Sequence, residues 1–168
     1  MKHPRFRLHH LTMALMLTGV LVACGGKDPE QLVASARGYL QKNDNAAAII
    51  ELKNALQEKN DFPEARLLLG QALLDSGDVV GAEAELRKAR EANHKPDEVS
   101  PLLARAWLGQ GQPRKVTEAF DQVRLESSAA QADLLTSLAI GWRAQGQNEK
   151  FRQRLESALQ LQPEYAPA

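Results

Sequence analysis

The chain has little of what usually betrays a chemistry. Its 168 residues include one cysteine, Cys24, so no disulfide can close within it, and a cysteine-ligated metal site would lack companions. Of four histidines, His3, His9 and His10 fall in the first ten residues, which leaves His94 alone in the loop sequence ANHKP. Serines and carboxylates are plentiful, but none has beside it the second titratable residue type that would make a nucleophile–base pair. No catalytic residue, metal or cofactor is therefore expected, and no small-molecule substrate. Aromatic residues make up only 5%, and a composition led by alanine, leucine, glutamine and glutamate favours helix over sheet. An excess of one charge is missing as well. Balanced totals of 21 basic and 21 acidic residues remove any general attraction to nucleic acid.

The first 23 residues differ from the rest. Lys2, Arg5 and Arg7 make a positive start, and Leu11 to Ala23 (LTMALMLTGVLVA) follow with thirteen residues free of charge. That is short of the about 20 residues needed to cross a bilayer, but it suits the apolar core of a secretory signal. A buried core helix is the alternative, although the run shows no amphipathic pattern. Leu21, Val22, Ala23 and Cys24 then resemble a bacterial lipobox: a large aliphatic residue, two small-to-medium residues and a cysteine. The resemblance implies that residues 1–23 are a lipoprotein signal peptide, that Cys24 becomes an acylated N-terminus, and that 24–28 form a short flexible tether. Two or more acyl chains hold a protein stably on a membrane, where one gives only marginal binding. A free thiol in a soluble protein is the competing reading. Gly25 stands where an aspartate would resemble an inner-membrane retention signal, so the outer membrane is favoured, with the protein facing the periplasm. Loss of Lys2, Arg5 and Arg7 leaves 18 basic against 21 acidic residues, a mild formal charge of about −3.

Beyond the tether the chain repeats itself. Asn43, Gly77, Gly111 and Gly146 are spaced by 34, 34 and 35 residues. Four further columns keep step: Ala36, Gly70, Ala104, Ala139; Tyr39, Leu73, Trp107, Trp142; Ala48, Ala82, Val116, Phe151; and Leu52, Leu86, Phe120, Leu155. A period of 34 with Leu69-Gly70 as the L-G pair, Leu73 in the tyrosine place and Ala82 with Leu86 as A-x3-F resembles the tetratricopeptide repeat, a helix–turn–helix unit. The opening tryptophan of that family is absent, its places being taken by Leu32, Arg66, Ser100 and Leu135, and Phe151 stands where a small residue is usual. The resemblance implies an all-α, right-handed superhelix of about four units: 29–62, 63–96, 97–131 and 132–165, with 166–168 opening a fifth. One additional residue falls near LESSAAQA, between the third and fourth units.

Each column has a mechanical reason. Small residues such as Gly70 and Ala104 let paired helices approach closely. The glycines and Asn43 suit the left-handed backbone that ends a helix. Pro113 suits the first position of a helix. Ser100-Pro101 reads the same way, as N-cap and first helical residue, which shortens the first helix of the third unit. Trp107 and Trp142, in the buried tyrosine column, read as core rather than as ligand-stacking rings. In the second helix of the fourth unit, Leu155, Ala158, Leu159 and Leu161 leave apolar surface with no polar cap after it. The expectation is a longer natural protein, or association through that face.

In this repeat family the first helix of each unit lines a concave groove that receives other proteins. Mapped here, one row is Arg37, Gln71, Arg105 and Ile140. A second is Leu40, Leu74, Leu108 and Arg143, and a third is Val33, Leu67, Pro101 and Thr136. Leucines beside arginines suit an extended or helical peptide with apolar anchors and a carboxylate. The plainer reading is that the leucines pack on the next unit and the arginines are solvated. Finally, AAIIELKNALQ followed by ARLLLGQALLDSGD is similar to the start of the large tetratricopeptide lipoprotein of the PEP-CTERM/exosortase system, a family that accompanies exopolysaccharide production and surface-protein sorting. The resemblance implies a non-catalytic envelope scaffold. Alternatives are a small assembly lipoprotein, such as a pilus secretin pilotin or an outer-membrane barrel assembly subunit, and an enzyme whose catalytic domain lies beyond Ala168.

Overall fold

The structure, a computed structural model, describes residues 28–164. The signal segment, Cys24 with its lipobox, and residues 166–168 lie outside the described residues. Within them the chain forms eight helices and no strand: α1 (Pro29–Leu40), α2 (Asn45–Glu58), α3 (Pro63–Asp75), α4 (Val79–Glu91), α5 (Pro96–Gly109), α6 (Pro113–Phe120), α7 (Ser128–Ala144) and α8 (Asn148–Leu161). They pair in sequence as antiparallel hairpins, and each hairpin stacks on the next.

One turn closes all four hairpins. The carbonyls of Tyr39, Leu73, Trp107 and Trp142 accept from the N–H groups of Asp44, Asp78, Gln112 and Gln147 at 2.9–3.0 Å. In each case the residue before the donor is left-handed: Asn43 at φ 57°, Gly77 at 85°, Gly111 at 69° and Gly146 at 74°. This is the Schellman closure of a helix end, and it explains why glycine or asparagine holds that column.

The small-residue column does what its size allows. Ala36, Ala104 and Ala139 are fully buried. A Cβ on Gly70 would lie 2.5 Å from Leu86 Cγ, so α3 and α4 touch there through bare backbone. Leu52 and Leu86 are wholly enclosed one helix later. Trp107 is buried against Phe120, with ring centroids 5.4 Å apart. Trp142 is only half-buried, contrary to its expected place in the core. The residue in Phe120's column is now Leu155, which offers no ring to stack on.

Two other expectations are corrected. Pro101 does not open a helix: α5 begins five residues earlier at Pro96, and Pro101 lies inside it, buried with Ser100. Pro96 supplies the fixed φ of a first helical position, and Asp97 and Glu98 supply first-turn carboxylates. Pro101 then costs only the bond to the carbonyl of Asp97. The fourth pair begins at Ser128, capped by the Ser127 hydroxyl, and not near Ala132. In compensation α6 has eight residues, the shortest of the set, and 121–127 run without helix.

Side chains stitch unit to unit. Trp107 Nε1 donates to Glu83 Oε1 at 2.8 Å, and Trp142 Nε1 to Asp121 Oδ1 at 3.1 Å. Arg154 adds a 2.7 Å bond to the same Asp121 oxygen, and Lys115 pairs with Glu83 at 3.2 Å. Burial pushes the Glu83 carboxyl up, but the bonds from Trp107, Gln110 and Lys115 outweigh it and hold the group below its ordinary range. Asp121 is likewise pushed up by burial and brought net downward by Trp142 and Arg154.

Candidate interaction groove

The first helices of the four units, α1, α3, α5 and α7, share a cleft of about 490 Å³. Its apolar part comes from Leu67, Leu68, Pro101 and Leu102, all at least partly buried. Arg37 and Gln71 line it from α1 and α3. Of the expected groove residues, Arg37, Leu67, Gln71 and Pro101 therefore meet in one place. Arg105 lies one helical turn beyond Pro101 on the same face of α5, exposed and without an ion pair among the described residues. Leu40, Leu74 and Leu108 are half-buried and pack against the core. Val33 and Thr136 are buried outright, Thr136 bonding the carbonyl of Ala132 at 2.9 Å. Ile140 stays 49% exposed. The Arg143 guanidinium sits 5.6 Å from the Phe151 ring centroid.

The charge of the groove differs from that of the leucines beside two arginines that the columns implied. Arg37 is tied to Glu64 by bonds of 2.7 and 3.2 Å, an exposed pair that contributes little to stability but occupies the guanidinium. On the other wall stand three carboxylates, Asp97 and Glu98 of α5 and Asp133 of α7. Asp97 accepts from the N–H groups of Glu126 and Ser127 at 3.1 and 2.7 Å, which anchors the segment between α6 and α7. A bond from His94 at 2.8 Å is the main influence on Glu98 and holds its carboxyl below the ordinary range, with Lys95 assisting against partial burial. Sequence reasoning missed Asp97 and Glu98 because reading Pro101 as a helix start left them outside the helix. The signal that would have found them is Pro96, which falls one residue short of the 34-residue spacing shared by Pro29 and Pro63, all three opening helices.

The comparisons with known proteins agree with this architecture. Residues 39–106 match the model of the tetratricopeptide repeat family. Two crystal structures of MamA are similar in fold: one has a TM-score of 0.72 at 18% identity, covering 83% of this chain and 81% of that one. The other scores 0.71 at 19% identity, over 82% and 75%. The structure of YrrB, described as a TPR protein with an unusual peptide-binding site, scores 0.53 at 15% identity and covers 83% of this chain and 89% of that one. Among curated proteins none matches. Residues 29–161 thus have the fold of a tetratricopeptide-repeat helical solenoid, and residues 39–106 match the sequence model of the repeat.

Proposed function

We propose that the protein is a non-catalytic scaffold whose groove grips a peptide segment of another protein, and that acyl chains on Cys24 hold it at the bacterial envelope, facing the periplasm and on the outer membrane. The observation that carries the first half is the cleft itself, an apolar floor from α3 and α5 flanked by charges of both signs. The peptide that fits has apolar anchors for Leu67 and Pro101, a cation toward Asp97 and Asp133, and a carboxylate toward Arg105. The description of YrrB as peptide-binding supports this use of the fold. The resemblance of AAIIELKNALQ and ARLLLGQALLDSGD supports service to exopolysaccharide production and PEP-CTERM protein sorting.

A photo-crosslinking residue in place of Gln71 tests the groove in the native envelope. It should yield a dominant protein adduct that Arg105→Glu weakens; an adduct undiminished by Arg105→Glu counts against the groove as drawn. Labelled palmitate tests the anchor separately: incorporation should occur and be lost in Cys24→Ala.

A further inference from the structure

A second cleft, of about 790 Å³, opens at the loop edge of the last two units, away from the groove. Arg114, Lys115 and Lys150 line it with Trp142 and three glutamines, and no carboxylate does. Lys115 is partly engaged by Glu83 at 3.2 Å. Arg114 and Lys150 pair with no carboxylate among the described residues. The same corner of the first two units is different. There Asp44 and Asp78 occupy the column, their carboxylates accepting from the N–H groups of Ala47 and Gly81 at 3.1 and 2.8 Å. Gln112 and Gln147 replace them here, and Arg114 and Lys115 stand where the first two units have Ala46, Ala47, Val80 and Gly81, so this corner loses negative charge and gains positive charge.

We propose that this cleft binds an acidic peptide segment, an extended stretch carrying several aspartates or glutamates. Arg114 and Lys150, with Lys115, meet the side-chain carboxylates. Gln112 Nε2 already donates to Gln110 Oε1 at 3.0 Å, while Gln112 Oε1 is buried with no donor. A stacking sugar fits less well, because the Lys150 ammonium sits 3.8 Å over the Trp142 ring, on a face a pyranose would use. Nucleic acid fits poorly too. The described residues carry 17 basic against 21 acidic side chains, so no net positive charge draws a phosphate backbone to the chain.

The probe is an end-capped, fluorescein-labelled hexaglutamate, followed by anisotropy as the full chain is added at low salt. Saturable binding is expected, weakening as salt rises and falling about tenfold or more in Arg114→Glu/Lys150→Glu. The melting temperature of that variant should stay near that of the parent. Arg105→Glu, which alters the groove, should leave this binding intact, so the two sites fail independently. Absence of saturable binding overturns the proposal, as does full binding by the double variant or loss of binding in Arg105→Glu. An oligogalacturonate that displaces the probe more effectively than unlabelled hexaglutamate overturns the peptide in favour of an acidic saccharide.

Discussion

The first two units and the last two share the same columns but are held together differently. In α1–α4 the helices run 12 to 14 residues, and Asp28, Asp44 and Asp78 cap three of the four with side-chain bonds. In α5–α8 the lengths scatter from 8 to 17, and only α7 has a side-chain cap. What the second half loses in caps it recovers in longer reaches. Gln110 Nε2 bonds the carbonyl of Val79 at 3.0 Å, and Gln145 Nε2 bonds Thr117 Oγ1 at 3.0 Å. Gln131 Oε1 accepts from Leu125 N–H at 2.7 Å, and Asp97 takes two more N–H groups from the non-helical segment. The backbone donors that a longer α6 would have satisfied are met by side chains from α5 and α7. A repeat can therefore give up part of a helix without giving up its packing, provided neighbouring units supply acceptors.

The sharpest way to break that comparison is to remove one column residue from each half. Leu86 is fully enclosed, so Leu86→Ala should cost about 2–5 kcal/mol in chemical denaturation. Leu155, in the same column but half-buried, should cost clearly less when truncated. Equal losses would mean that the fourth unit packs as tightly as the second. Next in size is Gly70→Ala, whose methyl would meet the middle of the Leu86 side chain at 2.5 Å and should cost about 1–3 kcal/mol. Its control is Gly38→Ala in α1, where nothing lies within 4 Å of the added methyl. There the better helix propensity of alanine should add up to about 1 kcal/mol. The two substitutions should thus have opposite signs by thermal melting.

Asp97→Ala sharpens the comparison in the second half alone. It removes the shared acceptor of Glu126 and Ser127 and should cost about 1–2 kcal/mol. Hydrogen exchange should accelerate at those two amides and leave the turns at Gly77 and Asn43 unchanged. An even acceleration across the chain would instead make Asp97 a general helix-stabilising charge.

Much of the fold was legible because the repeat is mechanical. A left-handed turn tolerates few residues, so Asn43, Gly77, Gly111 and Gly146 mark every hairpin. Close helix contact tolerates few others, so Ala36, Gly70, Ala104 and Ala139 mark every crossing. The third unit was harder. Pro101 looks like a helix start because proline usually is one, yet Pro96 had already taken that role, and an interior proline is tolerated when one backbone bond is all it removes. Groove positions followed from the period, which fixes the face of each helix. Groove charge did not, because Arg37 finds Glu64 across 27 residues and Asp97 finds Ser127 across 30, partnerships that no column displays.

The smallest expected effect is one of pH, and it tests the two indole clamps that join successive units. Glu83 and Asp121 both titrate below the ordinary carboxylate range in the folded chain. A depressed folded value means that the ionised form is the one bound to its partners. The stabilisation is therefore fully present above the unfolded value, about pH 4, and is lost as pH falls from there through the lower folded value. Near neutrality Glu83→Gln and Asp121→Asn should each melt below the parent, because an amide keeps the size but not the charge facing Lys115 or Arg154. On acidification the parent should lose its advantage and the curves should converge. A gap that stays constant into acid would show that shape, and not charge, makes the clamp. The Asp121 gap should exceed the Glu83 gap, since Arg154 is closer at 2.7 Å and less exposed than Lys115 at 3.2 Å, and a charge pair shielded from water is screened less by salt. The order of the two gaps then tells whether the irregular end of the array is held more by charge than the regular part that precedes it.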